Sequence, residues 1–190
     1  MPKTSFLPCA MALAAVLSQP VASFTAEAEP EMSFRFESGA DTWRPRSASI
    51  GVSREEGAGA VPGSAAHLRV QGRIAEGWNY AACEPRPIRP NQLYRFTAWV
   101  RVDKLGSATP PPYLKCEFTG AGQRESLGQV HTTRYEPSRL GQWQQLEVEF
   151  QAPEQARTCW LALEKGTSSS AEIDARLDEI ELRPIARLSA

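Results

Sequence analysis

Two kinds of residue in this chain can do chemistry: paired carboxylates and aromatic rings at alternating positions. Glu117 and Glu164 each sit in a short run of alternating character. Two carboxyl groups about 5 to 10 Å apart are what a glycosidase uses, one as acid and the other as base or nucleophile. Little else here supports catalysis. There are two histidines, His67 and His131, too few for a histidine-rich metal site, and there is no serine nucleophile elbow, glycine-rich phosphate loop or HExxH motif. The rings point towards binding. Trp78, Tyr80, Tyr113 and Trp160 all fall in runs with a period of two. A sugar presents C–H groups on one face and hydroxyls around its edge, so its site pairs an aromatic plane with converging polar groups.

The elements that must position these residues are strands. From Phe34 onward the chain is a succession of short runs bounded by Gly, Pro, Asn and Ser. No helix-length segment carries apolar residues three and four apart. The expected strands are 33–37, 67–71, 78–84, 93–102, 113–119, 128–133, 143–151, 158–164 and 175–183. Nine short strands imply an all-β sandwich. Alternation assigns faces within them. Cys159, Leu161 and Leu163 oppose Trp160, Ala162 and Glu164; Leu114, Cys116 and Phe118 oppose Tyr113, Lys115 and Glu117; Asn79, Ala81 and Cys83 oppose Trp78, Tyr80 and Ala82. The aliphatic sets belong to the core, which puts three cysteines inside and four aromatics outside. Leu146, Val148 and Phe150 alternate with Glu147, Glu149 and Gln151, giving that strand one wet face. Ile180 and Leu182 alternate in the same way with Glu179, Glu181 and Arg183. Leu93, Phe96, Ala98, Trp99 and Val100 form a nearly continuous apolar strand, expected to lie mostly inside.

The 190 residues suit one well-filled domain. Lys and Arg number 21 against 22 Asp and Glu, a net charge of −1. There is no basic footprint for nucleic acid or anionic lipid, and a neutral partner fits that balance. Residues 1–28 read as a signal peptide: Lys3, an apolar run from Phe6 to Leu17, then small residues that allow cleavage near 23 or 28. The run is too short to span a membrane. Cys9 is preceded by Pro8 and lies before the apolar stretch, against a lipoprotein attachment. The mature protein is therefore expected to be secreted or periplasmic, with a single domain over 32–186. It keeps Cys83, Cys116 and Cys159 in an oxidising compartment.

A family resemblance emerges from the order of the signals. Phe36-Glu37-Ser38-Gly39 and Trp43 are followed by Pro62-Gly63-Ser64-Ala65-Ala66-His67-Leu68-Arg69-Val70. Next come Leu93-Tyr94-Arg95-Phe96-Thr97-Ala98-Trp99-Val100, Gly141-Gln142-Trp143, Phe150-Gln151-Ala152-Pro153 and finally Leu177-Asp178-Glu179-Ile180-Glu181-Leu182. The series resembles the jelly-roll carbohydrate-binding modules of the xylan- and β-glucan-binding type, within the galactose-binding-like group, over residues 32 to 184.

The resemblance implies a β-sandwich jelly roll with a glycan on the concave outer face of one sheet. That sheet would hold the strands at 78–84, 113–119, 128–133 and 158–164. Trp78, Tyr80, Tyr113 and Trp160 would then share a face with Lys115, Glu117, His131 and Glu164, rings for stacking and polar groups for hydroxyls. Trp43, Trp99 and Trp143 occupy motif positions that imply core packing, and His67 a structural role. With the cysteine strands adjacent, Cys159 could bridge to Cys116 or to Cys83. A structural calcium ion would take oxygens from Glu37 and Asp178. No other cofactor is required. The expected partners are a polysaccharide or oligosaccharide and a separate carbohydrate-active enzyme; there is no membrane span. The competing readings are an exported protein-interaction domain with no sugar ligand and, further off, a glycosidase built on Glu117 and Glu164.

Overall fold

In the computed structural model, residues 29–122 and 125–189 are described, so the leader expected over 1–28 lies outside the described residues. Twelve strands form two antiparallel six-stranded sheets. They are β1 (Met32–Phe34), β2 (Arg44–Pro45), β3 (Ile50–Glu56), β4 (Ala66–Ile74), β5 (Asn79–Ala82) and β6 (Arg86–Pro87), followed by β7 (Leu93–Leu105), β8 (Tyr113–Thr119), β9 (Ser126–His131), β10 (Trp143–Gln151), β11 (Thr158–Glu164) and β12 (Ala171–Pro184). The first sheet runs β10-β7-β12-β4-β3, with β1 also paired to β12. The second runs β2-β5-β11-β8-β9, with β6 also paired to β11. The strands expected at 113–119, 143–151 and 158–164 have those bounds in the structure. β3, β2 and β6 were not anticipated. β3 reads Ile-Gly-Val-Ser-Arg-Glu-Glu, too polar to stand out, because it is an edge strand with a solvated flank.

The core lies between the sheets and is built from the buried halves of the alternating strands. β7 contributes Tyr94, Phe96, Ala98, Val100 and Val102; β11 contributes Cys159, Leu161 and Leu163; β12 contributes Ile173, Ala175, Leu177, Ile180 and Leu182. Burying each large member contributes roughly 1.5–3 kcal/mol before entropy is counted. Trp43 joins this core, edge-on to Phe34 at 5.9 Å.

Three expectations need correction. Trp99 and Trp143 do not fill the core. Strict alternation along β7 puts Trp99 with Arg95, Thr97 and Arg101 on the outer face of the first sheet, half-buried, and Trp143 sits opposite Arg101. An apolar strand with a large ring on its wet side looks continuous in sequence and is not. Leu93 likewise falls on the half-buried side, with Tyr94 taking the inward position. Finally, neither anticipated disulfide is present: Cys83, Cys116 and Cys159 are all free and buried. The β8–β11 register sets Cys116 opposite Leu161 and Cys159 opposite Phe118, so the two cysteines are diagonal neighbours. The Cys83 sulfur instead accepts the Leu161 amide at 3.2 Å. Burial pushes the Cys83 thiol up to about 11, and burial followed by the contact with Cys159 lifts Cys116 well above the ordinary range. They are inert core thiols.

Candidate carbohydrate-binding face

The outer face of the second sheet is ordered in rows by strand register, since directly opposed residues share a face. One row runs Arg44, Ala82, Ala162, Lys115, His131 across β2, β5, β11, β8 and β9. Two alanines thus form the middle of the row, with long cationic side chains on either side. On one flank, Trp160 opposes Glu117, and Glu117 opposes Gln129. On the other, Glu164 stands between Tyr113 and Asn79. Strand register therefore puts Tyr113, Lys115, Glu117, His131, Trp160 and Glu164 on one side of the sheet, with Tyr113, Lys115 and Glu164 buried, Glu117 and Trp160 half-buried and His131 exposed.

These side chains form one network. Tyr113 donates its hydroxyl to Glu164 Oε1 at 2.7 Å, and its ring meets His131 at 4.8 Å. Burial and the Glu164 hydrogen bond together push the Tyr113 phenol up to about 12, so it stays a donor. Lys115 is buried and lies 2.9 Å from Glu117 Oε2, 3.8 Å from Glu164 Oε2 and 4.6 Å from the centre of the Trp160 ring. His131 Nε2 is 3.9 Å from the same Glu164 oxygen. At the two ends, Arg46 lies 5.1 Å over Trp160 and Arg134 lies 4.2 Å over Tyr113. Gly166, at φ +68°, makes the second stacking possible, because a Cβ there would come within 2.6 Å of the Arg134 guanidinium.

Tyr80 is the exception among the expected rings. The β5–β11 register shifts between Leu163 and Glu164: Ala81 opposes Leu163 and Asn79 opposes Glu164, leaving Tyr80 as the extra residue of a β-bulge. The bulge turns Tyr80 into the core, where it is fully buried, its hydroxyl lacks a partner and burial pushes its pKa up. It also brings Asn79 onto the binding side. Trp78, just before the bulge, is 51% exposed, and its carbonyl accepts the Lys165 amide at 2.9 Å. Sequence alternation missed Asn79, Arg46 and Arg134. A bulge has no compositional mark, and the arginines come from chain outside the expected strands.

Glu164 Oε2 and Asn79 Oδ1, on adjacent strands, are buried acceptors without a hydrogen-bond donor. Such atoms are costly unless something donates to them.

Glu37 and Asp178 lie away from this face and do not suit a calcium ion. Asp178 is buried; its Oδ2 accepts Ala60 N–H at 2.8 Å and Ser64 O–H at 2.7 Å, and its Oδ1 accepts Glu179 N–H at 2.8 Å. Glu37 Oε1 accepts Ala65 N–H at 3.0 Å, and the Phe36 and Glu37 carbonyls accept from Arg54. Calcium needs six to eight oxygens turned towards it, whereas these are turned to N–H and O–H donors. No group of three or more His, Cys, Asp or Glu side chains gathers among the described residues. The two acids anchor the 57–66 loop. Gly59 lets that loop close, since a Cβ there would meet Asp178 Oδ2 at 2.3 Å.

The same fold is found in known sugar-binding proteins. A Clostridium thermocellum endo-1,4-β-D-xylanase 10B structure, comprising CBM22-1 and GH10 modules with xylohexaose, matches with a TM-score of 0.66 at 16% identity over 84% of this chain. The chain spans only 29% of that protein's length. The CBM22-1 xylan-binding domain of Paenibacillus barcinonensis Xyn10C matches at 0.59 and 18% identity, with 85% of this chain and 98% of that one covered. The C-terminal family 22 module of C. thermocellum Xyn10B matches at 0.53 and 14% identity, over 85% and 96%. Comparison with curated proteins finds no match. No described helix is long and apolar enough to cross a membrane. The family model described as a carbohydrate binding domain covers residues 32–171, and the chain belongs to that family.

Proposed function

We propose that the outer face of the second sheet binds a xylan-type polysaccharide without cleaving it, and that the protein is exported. The observation that carries this is a half-buried ring, Trp160, sharing one face with the half-buried Glu117 and the exposed His131. Glu117 and His131 offer polar atoms to sugar hydroxyls, and the indole offers a plane for the C–H side of a ring. His131 and Glu117 stand at the edge, where they read hydroxyl positions, and Trp78 widens the platform. Xylan is the first candidate because the structural neighbours include proteins named as xylan-binding domains. Hydrolysis is disfavoured by Lys115: a glycosidase needs open space between its two carboxyls for the scissile bond, and here the ammonium stands between Glu117 and Glu164.

Export rests on the Lys3 and Phe6–Leu17 leader. A mature N-terminus near residue 24 or 29 in extracytoplasmic protein checks it. Glu37 and Asp178 are assigned to loop anchoring; structural calcium, the alternative, would make the melting temperature fall on chelation, and anchoring predicts no change.

Binding raises the melting temperature by mass action. Among xylan, β-glucan, mannan, alginate and pectin, a xylan should protect the fold with no release of reducing ends. A flat response across the panel overturns the proposal.

A further inference from the structure

The net charge of −1 conceals a separation of charge between the two outer faces. On the first sheet, Arg69 is paired with Glu55 and Asp174, Arg95 with Glu149, Arg101 with Asp103, and Arg183 with Glu181. On the second sheet, Glu117 and Glu164 are taken up by Lys115, Tyr113 and His131. Beside these rows stand three exposed guanidinium groups, Arg44, Arg46 and Arg134. Arg44 donates only to the Asp41 and Trp43 carbonyls, Arg134 donates to the Pro111 carbonyl and lies over Tyr113, and Arg46 lies over Trp160. None of the three has a carboxylate partner among the described residues.

We propose that this face selects an acidic glycan, one whose uronic acid carboxylates dock on Arg46 and Arg134. The inference rests on the carbohydrate-binding reading above and narrows its ligand. A guanidinium lying over a ring rather than against a carboxylate keeps N–H donors for another partner, and its fork matches a carboxylate in two parallel hydrogen bonds. The two stacked arginines mark opposite ends of the face. Trp160 opposes Glu117 and Tyr113 opposes Glu164, so their rows are four strand residues apart, or about 13 Å. More than one sugar fits between them. The sugar backbone would lie along Trp160, Glu117 and His131, with carboxylates reaching outward to the arginines. Acidic groups along the floor itself would meet Glu117 and Glu164, so charge is favoured at the rim.

The test compares glucuronoxylan, the same polymer after carboxyl reduction, and polygalacturonate, by affinity electrophoresis and calorimetry at low and high salt. Glucuronoxylan should bind about tenfold more tightly than its reduced form, a ratio that falls as salt screens the arginines. Arg46→Met with Arg134→Met should bring the ratio towards one, with folding verified by the melting temperature. Polygalacturonate binding as tightly as glucuronoxylan would place the acid on the backbone; weaker binding would place it on side branches. Equal affinity for native and reduced xylan overturns the charge selection and leaves the binding face standing. No binding by any of them overturns both.

Discussion

The two sheets carry charged outer faces whose cations are handled differently. Across the first sheet, Arg101, Arg176 and Arg69 stand directly opposite one another on β7, β12 and β4. Like charges in such a row repel, and acids from neighbouring rows neutralise them. Arg101 meets Asp103 at 2.7 Å, Arg69 meets Asp174 at 2.7 Å and Glu55 at 2.8 Å, and Arg176 contacts both Asp103 and Glu55. Trp143 is closed off edge-on by His67 at 5.9 Å. The charges of that surface are paired within it, although both ring nitrogens of His67 lack a hydrogen-bond partner. Across the second sheet, arginines rest on rings, alanines leave room, and two acceptors go without donors. The difference lies in the cations: on the first sheet they meet carboxylates, whereas on the second Arg46 and Arg134 lie over rings.

The strongest way to break the contrast is to remove a ring from each face. Trp160→Ala should weaken glycan binding by about 1–3 kcal/mol, or roughly tenfold to a hundredfold, from the apolar area and stacking lost. Trp99→Ala should leave affinity unchanged in the same calorimetric titration. Next in size, Arg176→Ala leaves Asp103 only Arg101 and Glu55 only Arg69 and His67, and should cost about 1 kcal/mol in denaturant unfolding without altering glycan affinity.

A smaller effect comes from pH. Burial, then the nearby Arg176 charge, lowers the pKa of His67 below its ordinary value of 6.5. Between those two values the unfolded chain binds the proton and the folded one does not, so stability is lost as pH falls below about 6.5, at up to roughly 1.4 kcal/mol per pH unit. His67→Gln should flatten this slope. Glu55 adds a second step: burial raises its pKa, but the hydrogen bond and charge of Arg69 outweigh that and hold it below 4.5. Its contribution is present above that value and is lost as pH falls further. The smallest change is expected of Tyr80→Phe, which deletes a buried hydroxyl with no partner; its melting temperature should hold or rise slightly.

How far the sequence could be read depended on how cleanly each strand alternates. β8, β10 and β11 were legible end to end, because aliphatic, cysteine or phenylalanine side chains alternate in sequence with mainly polar or other aromatic ones and Gly and Pro flank them, even though β8 and β11 are buried over most of both faces. Tyr113, Lys115, Glu117, Trp160 and Glu164 were placed on their face for the same reason. The failures share a physical cause. β3 is an edge strand whose polar flank hides its pairing. Trp99 and Trp143 are large rings on a wet face, where only the surrounding charge lattice half-buries them. Tyr80 and Asn79 exchanged sides because one extra residue in β5 reverses the faces on either side of it. The rim arginines, lying outside the expected strands, become part of the face only once the chain is folded over it.

The five tryptophan indoles distinguish the two faces in a single experiment, because Trp160 and the exposed Trp78 are proposed for the binding face, Trp99 and Trp143 lie on the first sheet and Trp43 lies in the core. Titrating the 15N-labelled protein with xylohexaose should shift the indole N–H resonances of Trp160 and Trp78 while those of Trp99, Trp143 and Trp43 stay in place. Movement of Trp99 and Trp143 with Trp160 unmoved would contradict the assignment of the binding face.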